Sequence, residues 1–229
     1  MVGFEGYAHL KETLQNTVLE HVNPTAMLSR IMKDRRDLPE EILRMEHANL
    51  EDTWNQLKPP NIVKFCEMVR GAGMVYCMGW GISSLVAESL YTRLIEMGIG
   101  SSLMKRGSSA LIEQARTVRK GDLVVVCELP SYVIEVTESI ERASANGASI
   151  VTITDSAAAP VCRFANLSFF VSETTPTFGS SIIGPLFLVH ILTSVLCVNL
   201  GEEVQAALQD QEMGLYDERI YHPAYGLRY

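Results

Sequence analysis

From residue 74 onward the sequence alternates short apolar runs with helical segments, and this alternation constrains the fold more than any other feature. Five runs have the length and composition of buried strands: MVYCMG at 74–79, SSLMK at 101–105, DLVVVC at 122–127, ASIVTIT at 148–154 and LSFFV at 167–171. Apolar strands separated by helices are typical of βαβ units in a parallel sheet that is covered on both faces. The sequence therefore predicts an α/β fold, a three-layer αβα sandwich around a five-stranded parallel sheet.

Helical patterns come before this alternation and after it. GYAHLKETLQNTVLEHV at 6–22 has near-helical spacing of apolar residues, and LPEEILRMEHANLEDTWNQL at 38–57 opens with a proline and two acids, a favourable helix start. We therefore expect N-terminal helices before the sheet and three regions along the chain. They are a helical segment at 1–58, an α/β domain at 59–200, and a C-terminal helix with an aromatic tail at 201–229.

The chain is acidic, with 19 Lys and Arg against 27 Asp and Glu and a net charge of −8. Because an acidic surface repels phosphate backbones, we expect no direct contact with nucleic acid. The five cysteines are scattered and form no CxxC pair, which indicates buried thiols in a reducing compartment. The first residues lack the basic-then-apolar order of a signal peptide, so the sequence predicts a cytoplasmic protein.

One apolar run, IIGPLFLVHILTSVLCVNL at 182–200, is about long enough to span a bilayer. A helix that is apolar on every side is equally typical of one buried between a sheet and a partner subunit. Burial is the favoured interpretation, since the run contains a proline and several polar residues, and we expect no membrane contact. His190 is then interpreted as a core histidine rather than a catalytic one.

Ligands of parallel α/β sheets bind beyond the C-terminal ends of the strands. Four loops occupy those positions here: GWGISS at 79–84, KRGSS at 105–109, ELPSY at 128–132 and DSAAAP at 155–160. In the first, glycines allow close approach and serines can hold an anion, although a plain turn with a serine N-cap is an equal alternative. For Lys105 and Arg106 solvent exposure is favoured, and for Asp155 helix capping is favoured over ligand contact.

Three stretches together resemble the sugar isomerase (SIS) domain, and most of all the ligand-sensing domain of RpiR-like regulators. They are VYCMGWGISSLVAESLYTRLIEMG at 75–98, GDLVVVCELPSYVIEVTESIERASANGASIVTITDS at 121–156 and FFVSETTPTFGSSI at 169–182. The resemblance covers roughly residues 40–200. It implies a five-stranded parallel sheet that binds phosphosugars at its strand ends, in a homodimer or homotetramer.

Two family motifs carry the implied ligand contacts. The first turn of the family, Gly-x-Gly-x-Ser, is matched here by Gly79, Gly81, Ser83 and Ser84. The third strand of the family typically ends in Ile-Ser-x-Ser-Gly and holds the phosphate. In this sequence Glu128 and Pro130 replace the two serines, Ser131 replaces the glycine and Tyr132 follows.

These replacements change the chemistry of the implied phosphate loop. A proline removes a backbone donor, and a carboxylate about 5 Å away repels each unit of phosphate charge by roughly 3 kcal/mol at an effective dielectric near 20. The loop therefore favours a neutral polyol or an amine, with Glu128 as acceptor and Tyr132 stacking on a sugar face. The alternatives are that Lys105 or Arg106 neutralises Glu128, that Glu128 is protonated or turned away, or that the loop has degenerated and Glu128 pairs with a nearby base.

An isomerase needs a base within reach of a carbon-bound proton. The resemblance implies a glutamate at the start of the last helix, but no carboxylate occurs between Glu173 and Glu202. This weakens the enzyme hypothesis. The candidates that remain are Glu128, Glu173, Glu88 and His190, and of these Glu128 and Glu173 are the candidate catalytic residues. GWGISS is neither GxGxxG nor a Walker loop, and the histidines lack metal-ligand spacing, so the sequence predicts no cofactor and no metal.

Two hypotheses remain for the activity of the chain. In the first, a non-catalytic SIS module binds a small carbohydrate derivative as a homo-oligomer and has a regulatory output. In the second, the chain is an isomerase or a related enzyme acting on a sugar derivative. A transcriptional regulator without its DNA-binding domain is a further alternative, since residues 1–38 are short for a complete helix-turn-helix module.

Overall fold

The computed structural model describes residues 37–217, together with the isolated positions 25, 28, 29 and 32. The helix expected at 6–22 and the end of the aromatic tail, residues 218–229, lie outside the described residues. The expected boundary at 58/59 falls between two helices of the structure, and the boundary at 200/201 falls between two others.

Five strands and seven α-helices follow one another between residues 37 and 217. The strands are β1 (Val75–Gly79), β2 (Ser101–Met104), β3 (Leu123–Glu128), β4 (Ser149–Thr154) and β5 (Leu167–Phe170). The helices are α1 (Leu38–Gln56), α2 (Pro59–Arg70), α3 (Ser83–Glu96), α4 (Leu111–Gln114), α5 (Ile134–Ala145), α6 (Ile183–Leu200) and α7 (Glu202–Asp217). Two 3₁₀ helices, Ala115–Thr117 and Pro160–Phe164, complete the order.

The five strands form one parallel sheet in the order β2-β1-β3-β4-β5. The order reverses between β1 and β3, which is where ligands bind in sheets of this kind. The register places Gly79 beside Cys127 and Glu128 beside Thr154. The loops after β1, β3 and β4 therefore leave the sheet side by side.

The sheet separates two apolar cores. On one face α2, α3 and α6 pack against the strands, and the rings of Phe65 and Phe169 meet edge to face at 6.1 Å. On the other face α4, α5 and the 3₁₀ helices cover Met78, Val124 and Val126. This arrangement confirms the predicted three-layer αβα sandwich around a five-stranded parallel sheet.

The apolar helix α6 is a core helix of this sandwich on its inner face. Gly184, Leu188 and Leu192 are buried there, whereas Val198 on the outer face is 81% exposed. By length and composition alone, α6 could cross a membrane. This is weak evidence for a membrane span, because a core helix that covers a sheet passes the same test. The expectation that His190 is a core residue is wrong, because His190 lies on the exposed outer face.

The segment between β2 and β3 is less helical than its sequence pattern indicates. A helix is expected over 108–121, but only α4 and the 3₁₀ turn that follows it are helical. Val118 is extended, and the carboxylate of Asp122 accepts a hydrogen bond from the backbone N–H of Arg119 at 2.7 Å. The competing hydrogen bond closes a turn there in place of a further helical turn.

Helix α1 is fastened to the strand ends by a buried polar contact, which we name the α1 clasp: Asn49 and Thr53 of α1 with Ser172 and Thr174 after β5. The Asn49 side chain is 0% exposed; its amide donates to the Thr174 carbonyl, and its oxygen accepts from both residues of the segment. Thr53 Oγ1 accepts from the backbone N–H of Ser172 at 3.0 Å. The clasp therefore fixes the position of α1 relative to the sheet.

Gly184 sits at the point where α6 passes this clasp. A methyl group on Gly184 would overlap the carbonyl oxygen of Ser172 and lie 2.8 Å from Thr53 Oγ1. We expect Gly184→Ala to lower the free energy of unfolding by about 2 kcal/mol, since overpacking of this kind costs about 1–3 kcal/mol. Urea denaturation monitored by circular dichroism measures the change.

Gly214→Ala in α7 is the matched control, because no described residue outside the backbone of the helix lies within 4 Å of the added methyl group. Alanine is the better helix former, so this variant should be neutral or up to about 1 kcal/mol more stable. Equal unfolding midpoints for the two variants would contradict the packing described at Gly184.

Candidate functional site

The first part of the candidate site is the turn after β1. A methyl group on Gly79 would lie 2.6 Å from the Ser83 carbonyl oxygen, so the turn closes only around glycine, and Gly81 has a positive φ of 55°. Ser84 Oγ donates to the Gly81 carbonyl at 2.7 Å, and Ser83 Oγ accepts from the backbone N–H of Leu129 at 3.2 Å. The turn is thus tied to the end of β3, and neither serine acts as a side-chain N-cap of α3.

Glu128, the last residue of β3, is the most unusual group of the site. It is 3% exposed. Oε1 accepts from the backbone N–H of Val133 at 3.1 Å, and Oε2 is buried without a hydrogen-bond partner among the described residues. Burial raises the pKa of this carboxyl to about 7; the Val133 N–H opposes the shift and the nearby Asp155 charge adds to it. At neutral pH Glu128 is consequently about half protonated.

The two cations proposed as partners of Glu128 are paired elsewhere. Lys105 Nζ lies 3.0 Å from a carboxylate oxygen of Glu88, and Arg106 lies 3.1 Å from a carboxylate oxygen of Glu135. The alternative in which Lys105 or Arg106 neutralises Glu128 therefore does not describe this structure. The raised pKa instead favours the alternative in which Glu128 takes up a proton.

The remaining predicted residues of the β3 and β4 loops lie together. Ser131 has a φ of 84°, the left-handed backbone that glycine favours, at the position where the resemblance implies a glycine. The Tyr132 hydroxyl donates to the Asp155 carboxylate, 2.8 and 2.9 Å from its two oxygens, and Thr154 Oγ1 donates to the same group at 3.1 Å. Burial and Asp155 raise the pKa of Tyr132. Asp155 thus accepts a hydrogen bond from Tyr132 in the neighbouring loop. The role of Ser131, Tyr132 and Asp155 in ligand binding stays a prediction.

An open cavity of about 380 Å³ lies beside these loops, at the ends of β4 and β5. Its walls come from α1 and from the two strand ends: Asp52, Asn55, Gln56, Asp155, Val171, Ser172, Glu173 and Thr174. Three of these residues are carboxylic acids, and none of the lining residues that lie within the described part of the chain is Lys, Arg or His. The cavity is therefore suited to hydroxyl and ammonium groups and unfavourable for anions.

The two candidate catalytic carboxyls occupy different positions. Glu173 lines the cavity, and burial together with the Asp155 charge raises its pKa, against the hydrogen bond from Ser180. Glu128 does not line the cavity and lies buried at the end of β3. Asp155 connects the two places, because it lines the cavity and also acts on the pKa of both carboxyls.

Sequence reasoning missed the contribution of α1. Asp52, Asn55 and Gln56 stand at spacings of three and four residues, so they share one face of the helix. A polar stripe of this kind is visible in the sequence, but it is equally typical of a solvated helix face. Throughout 37–217, no three His, Cys, Asp or Glu side chains are grouped so that they could hold a metal ion.

The profile of the SIS domain matches residues 68–195, more than half of the chain. The chain belongs to the SIS domain family. This confirms the resemblance stated from the strand-end motifs, and the matched region contains all five strands.

Relatives of this SIS domain include regulators. The chain is 22% identical over 223 residues to an uncharacterised HTH-type transcriptional regulator of Clostridium perfringens, covering 94% of this chain and 80% of the relative. It is 25% identical over 220 residues to another uncharacterised HTH-type regulator, from Haemophilus influenzae, covering 92% and 75%.

Solved structures agree with the fold. The sugar isomerase domain of an RpiR transcription factor from Sphaerobacter thermophilus has a TM-score of 0.74 at 25% identity, over 78% of this chain and 99% of that one. The NanR protein of Vibrio vulnificus, solved in complex with ManNAc-6P, has a TM-score of 0.71 at 20% identity, over 94% and 77%. The bound ManNAc-6P belongs to NanR. At 20% identity, the similarity of this chain to NanR shows only that the two proteins share a fold.

The buried carboxyl of this SIS domain should make its stability depend on pH. A raised pKa in the folded state contributes stability that is complete below the unfolded value near 4.5 and is lost as the pH rises through about 7. Relative to Glu128→Gln, the wild-type free energy of unfolding should therefore fall by about 2–3 kcal/mol between pH 4.5 and pH 8. Urea denaturation at several pH values measures the difference.

Glu141→Gln, at an exposed position of α5, is the control and should follow the wild-type curve. A pH-independent difference between the wild type and Glu128→Gln would mean that Glu128 titrates as an ordinary exposed carboxyl.

Proposed function

We propose that this SIS domain is a non-catalytic sensor that binds a small carbohydrate derivative at the C-terminal edge of its sheet and has a regulatory output. The observation that carries the proposal is Glu128, which stands where the resemblance implies a phosphate-binding serine; its buried Oε2 has no hydrogen-bond partner in the described part of the chain. The HTH-type relatives and the RpiR neighbour support a regulatory role over a metabolic one.

The charge state of Glu128 selects the ligand. When it is ionised, Glu128 repels a phosphate by roughly 3 kcal/mol per unit charge at about 5 Å, and the site favours a neutral or amino sugar. When it is protonated, the repulsion disappears and Oε2 gains a hydrogen that it can donate. Since the pKa is about 7, the earlier expectation of phosphate exclusion applies above neutrality and weakens below it.

The neighbouring loops supply the other contacts of the proposed ligand. The glycines of the first turn, Gly79 and Gly81, let the backbone come close to a sugar. Ser131 and the partly exposed ring of Tyr132 lie on the same side as Asp155, which accepts hydroxyl donors. The Ser83 and Ser84 hydroxyls are already hydrogen-bonded within the loops and mainly shape the turn.

The proposed sensor works in the cytoplasm as a homodimer or homotetramer, in keeping with the family resemblance. The net charge of −8 supports a sensing unit that does not itself contact nucleic acid. The proposed ligand is one small sugar derivative for each site, without a metal or another cofactor.

A sugar carrying a sulfate ester tests whether the charge on Glu128 selects against anionic ligands, because the charge of the sulfate itself does not change between pH 6 and pH 8. With a pKa near 7 for Glu128, the neutral fraction rises about tenfold over this range as the pH falls, and apparent affinity follows that fraction. We expect glucose 6-sulfate or N-acetylglucosamine 6-sulfate to bind about tenfold more tightly at pH 6. Isothermal titration calorimetry measures the constants.

Glu128→Gln should bind the same sulfated sugar equally well at both pH values, and Glu141→Gln should behave as the wild type. The uncharged parent sugars should show little pH dependence with any of the three proteins. A pH response that survives in Glu128→Gln would assign the selection to another group. Failure of sulfated, neutral and amino sugars alike to bind would reject a carbohydrate sensor.

A second candidate function is an aldose–ketose isomerase. The observation that favours it is the pKa of Glu128, raised to about 7, since a general base works best when its pKa lies near the operating pH. Burial also raises the pKa of Glu173. The sensor proposal predicts no incorporation of deuterium from D₂O at the carbon next to the carbonyl of any sugar that binds. Nuclear magnetic resonance detects the exchange, and exchange abolished by Glu128→Gln or Glu173→Gln would establish the enzyme instead.

A further inference from the structure

We propose that helix α1 is the specificity wall of this ligand site, and that Asp52, Asn55 and Gln56 select a ligand end that carries hydroxyl or amino groups and no acid. This inference rests on the proposed function, because it concerns the same carbohydrate ligand. It adds three residues and a second recognition surface, on the far side of Asp155 from the β3 loop.

The first support is the shape of the site. Asp52, Asn55 and Gln56 lie on one face of α1 and form one side of the cavity of about 380 Å³. Asp155, Ser172 and Glu173 line it from the strand ends. A cavity of this volume falls within the range of small-molecule pockets, about 300–1,000 Å³.

The second support is continuity with the β3 loop. Asp155 lines the cavity and holds the Tyr132 hydroxyl at 2.8 Å, so one carboxylate borders both places. A ligand that contacts Tyr132 therefore extends past Asp155 towards α1. The two surfaces would read opposite ends of the same molecule.

The third support is charge and hydrogen-bonding capacity. Asp52, Asp155 and Glu173 bring acidic groups to the cavity, and among the described residues that line it none is cationic. Asn55 and Gln56 each present an amide that donates and accepts, which suits hydroxyl groups. An ammonium or hydroxyl group is favoured in such surroundings, and a carboxylate or phosphate is repelled.

The fourth support is the rigidity of the wall. The clasp residue Asn49 is fully buried with its amide oxygen and nitrogen bonded, and Glu46 accepts from both Asn49 at 2.9 Å and Ser181 Oγ at 2.8 Å. Thr53 follows Asp52 directly and accepts from the backbone of Ser172. The recognition face of α1 is thus held in position before a ligand arrives, which lowers the entropic cost of binding.

The test compares three probes of one size at pH 6.5: glucosamine, which is then a cation, neutral glucose and anionic glucuronate. Calorimetry on the wild type should rank their affinities in that order. Asp52→Asn should lower the affinity for glucosamine at least fivefold while changing that for glucose less than twofold. Asp52→Lys should reverse the preference between glucosamine and glucuronate.

Glu51→Gln is the matched control, since Glu51 is the neighbouring exposed acid of α1 and does not line the cavity. It should leave the glucosamine-to-glucose ratio unchanged. Asp52→Asn with a wild-type ratio, or with all three affinities lowered equally, overturns the inference. The proposed function survives a failure of the α1 inference if Glu128→Gln still alters the binding of the sulfated sugar in the same preparations. If none of the probes binds, the α1 inference and the proposed function are both rejected.

Thr53 tests the positioning of the wall. Thr53→Val removes the acceptor for the Ser172 N–H and should lower the glucosamine-to-glucose affinity ratio at least threefold, and Thr53→Ser should restore it. Thr193→Val removes a buried hydroxyl that donates within α6 to the carbonyls of Val189 and His190, and should leave the ratio unchanged. Equal effects of Thr53→Val and Thr193→Val on the ratio would contradict a positioning role.

Discussion

The desolvation of one carboxyl group, Glu128 at the end of the central strand β3, dominates the chemistry of this SIS domain. A buried carboxylate without a full set of partners is costly, and the protein meets that cost by raising the pKa to about 7. Lys105 and Arg106 pair with other acids, and Glu128 reduces its charge by taking up a proton. A loop that resembles a phosphate cradle therefore becomes one whose charge varies around neutrality.

Asp155 joins this carboxyl to the rest of the site. It accepts from Tyr132 and Thr154, acts electrostatically on Glu128 and Glu173, and lines the cavity that α1 closes. The site is thus one continuous acidic edge of the sheet. In the binding mode that we propose, an acidic group on a ligand is disfavoured both beside Glu128 and in the cavity, and an amino or hydroxyl group is favoured at both.

The sequence predicted the sheet well because the central strand β3 is buried on both faces and short strand-like runs alternate with helical segments around it, a pattern typical of a covered parallel sheet. It also placed Glu128, Ser131 and Tyr132 at a strand end. It failed for the 108–121 helix, where the Asp122 side chain competes with the helical hydrogen bonds, and for His190, since the run around α6 is apolar on every side and hides which face is buried. The α1 wall was missed because its partners lie more than a hundred residues away.

By itself the sequence determined the layers of the fold, the five strands and the replacement of serine by Glu128, since these depend on local composition and on residue identity. Only the tertiary structure decided the charge state of Glu128 and the partners of Lys105 and Arg106. The tertiary structure also decided that α1 packs against the segment that follows β5. Burial and distance set these properties, and both arise when segments remote in sequence pack together.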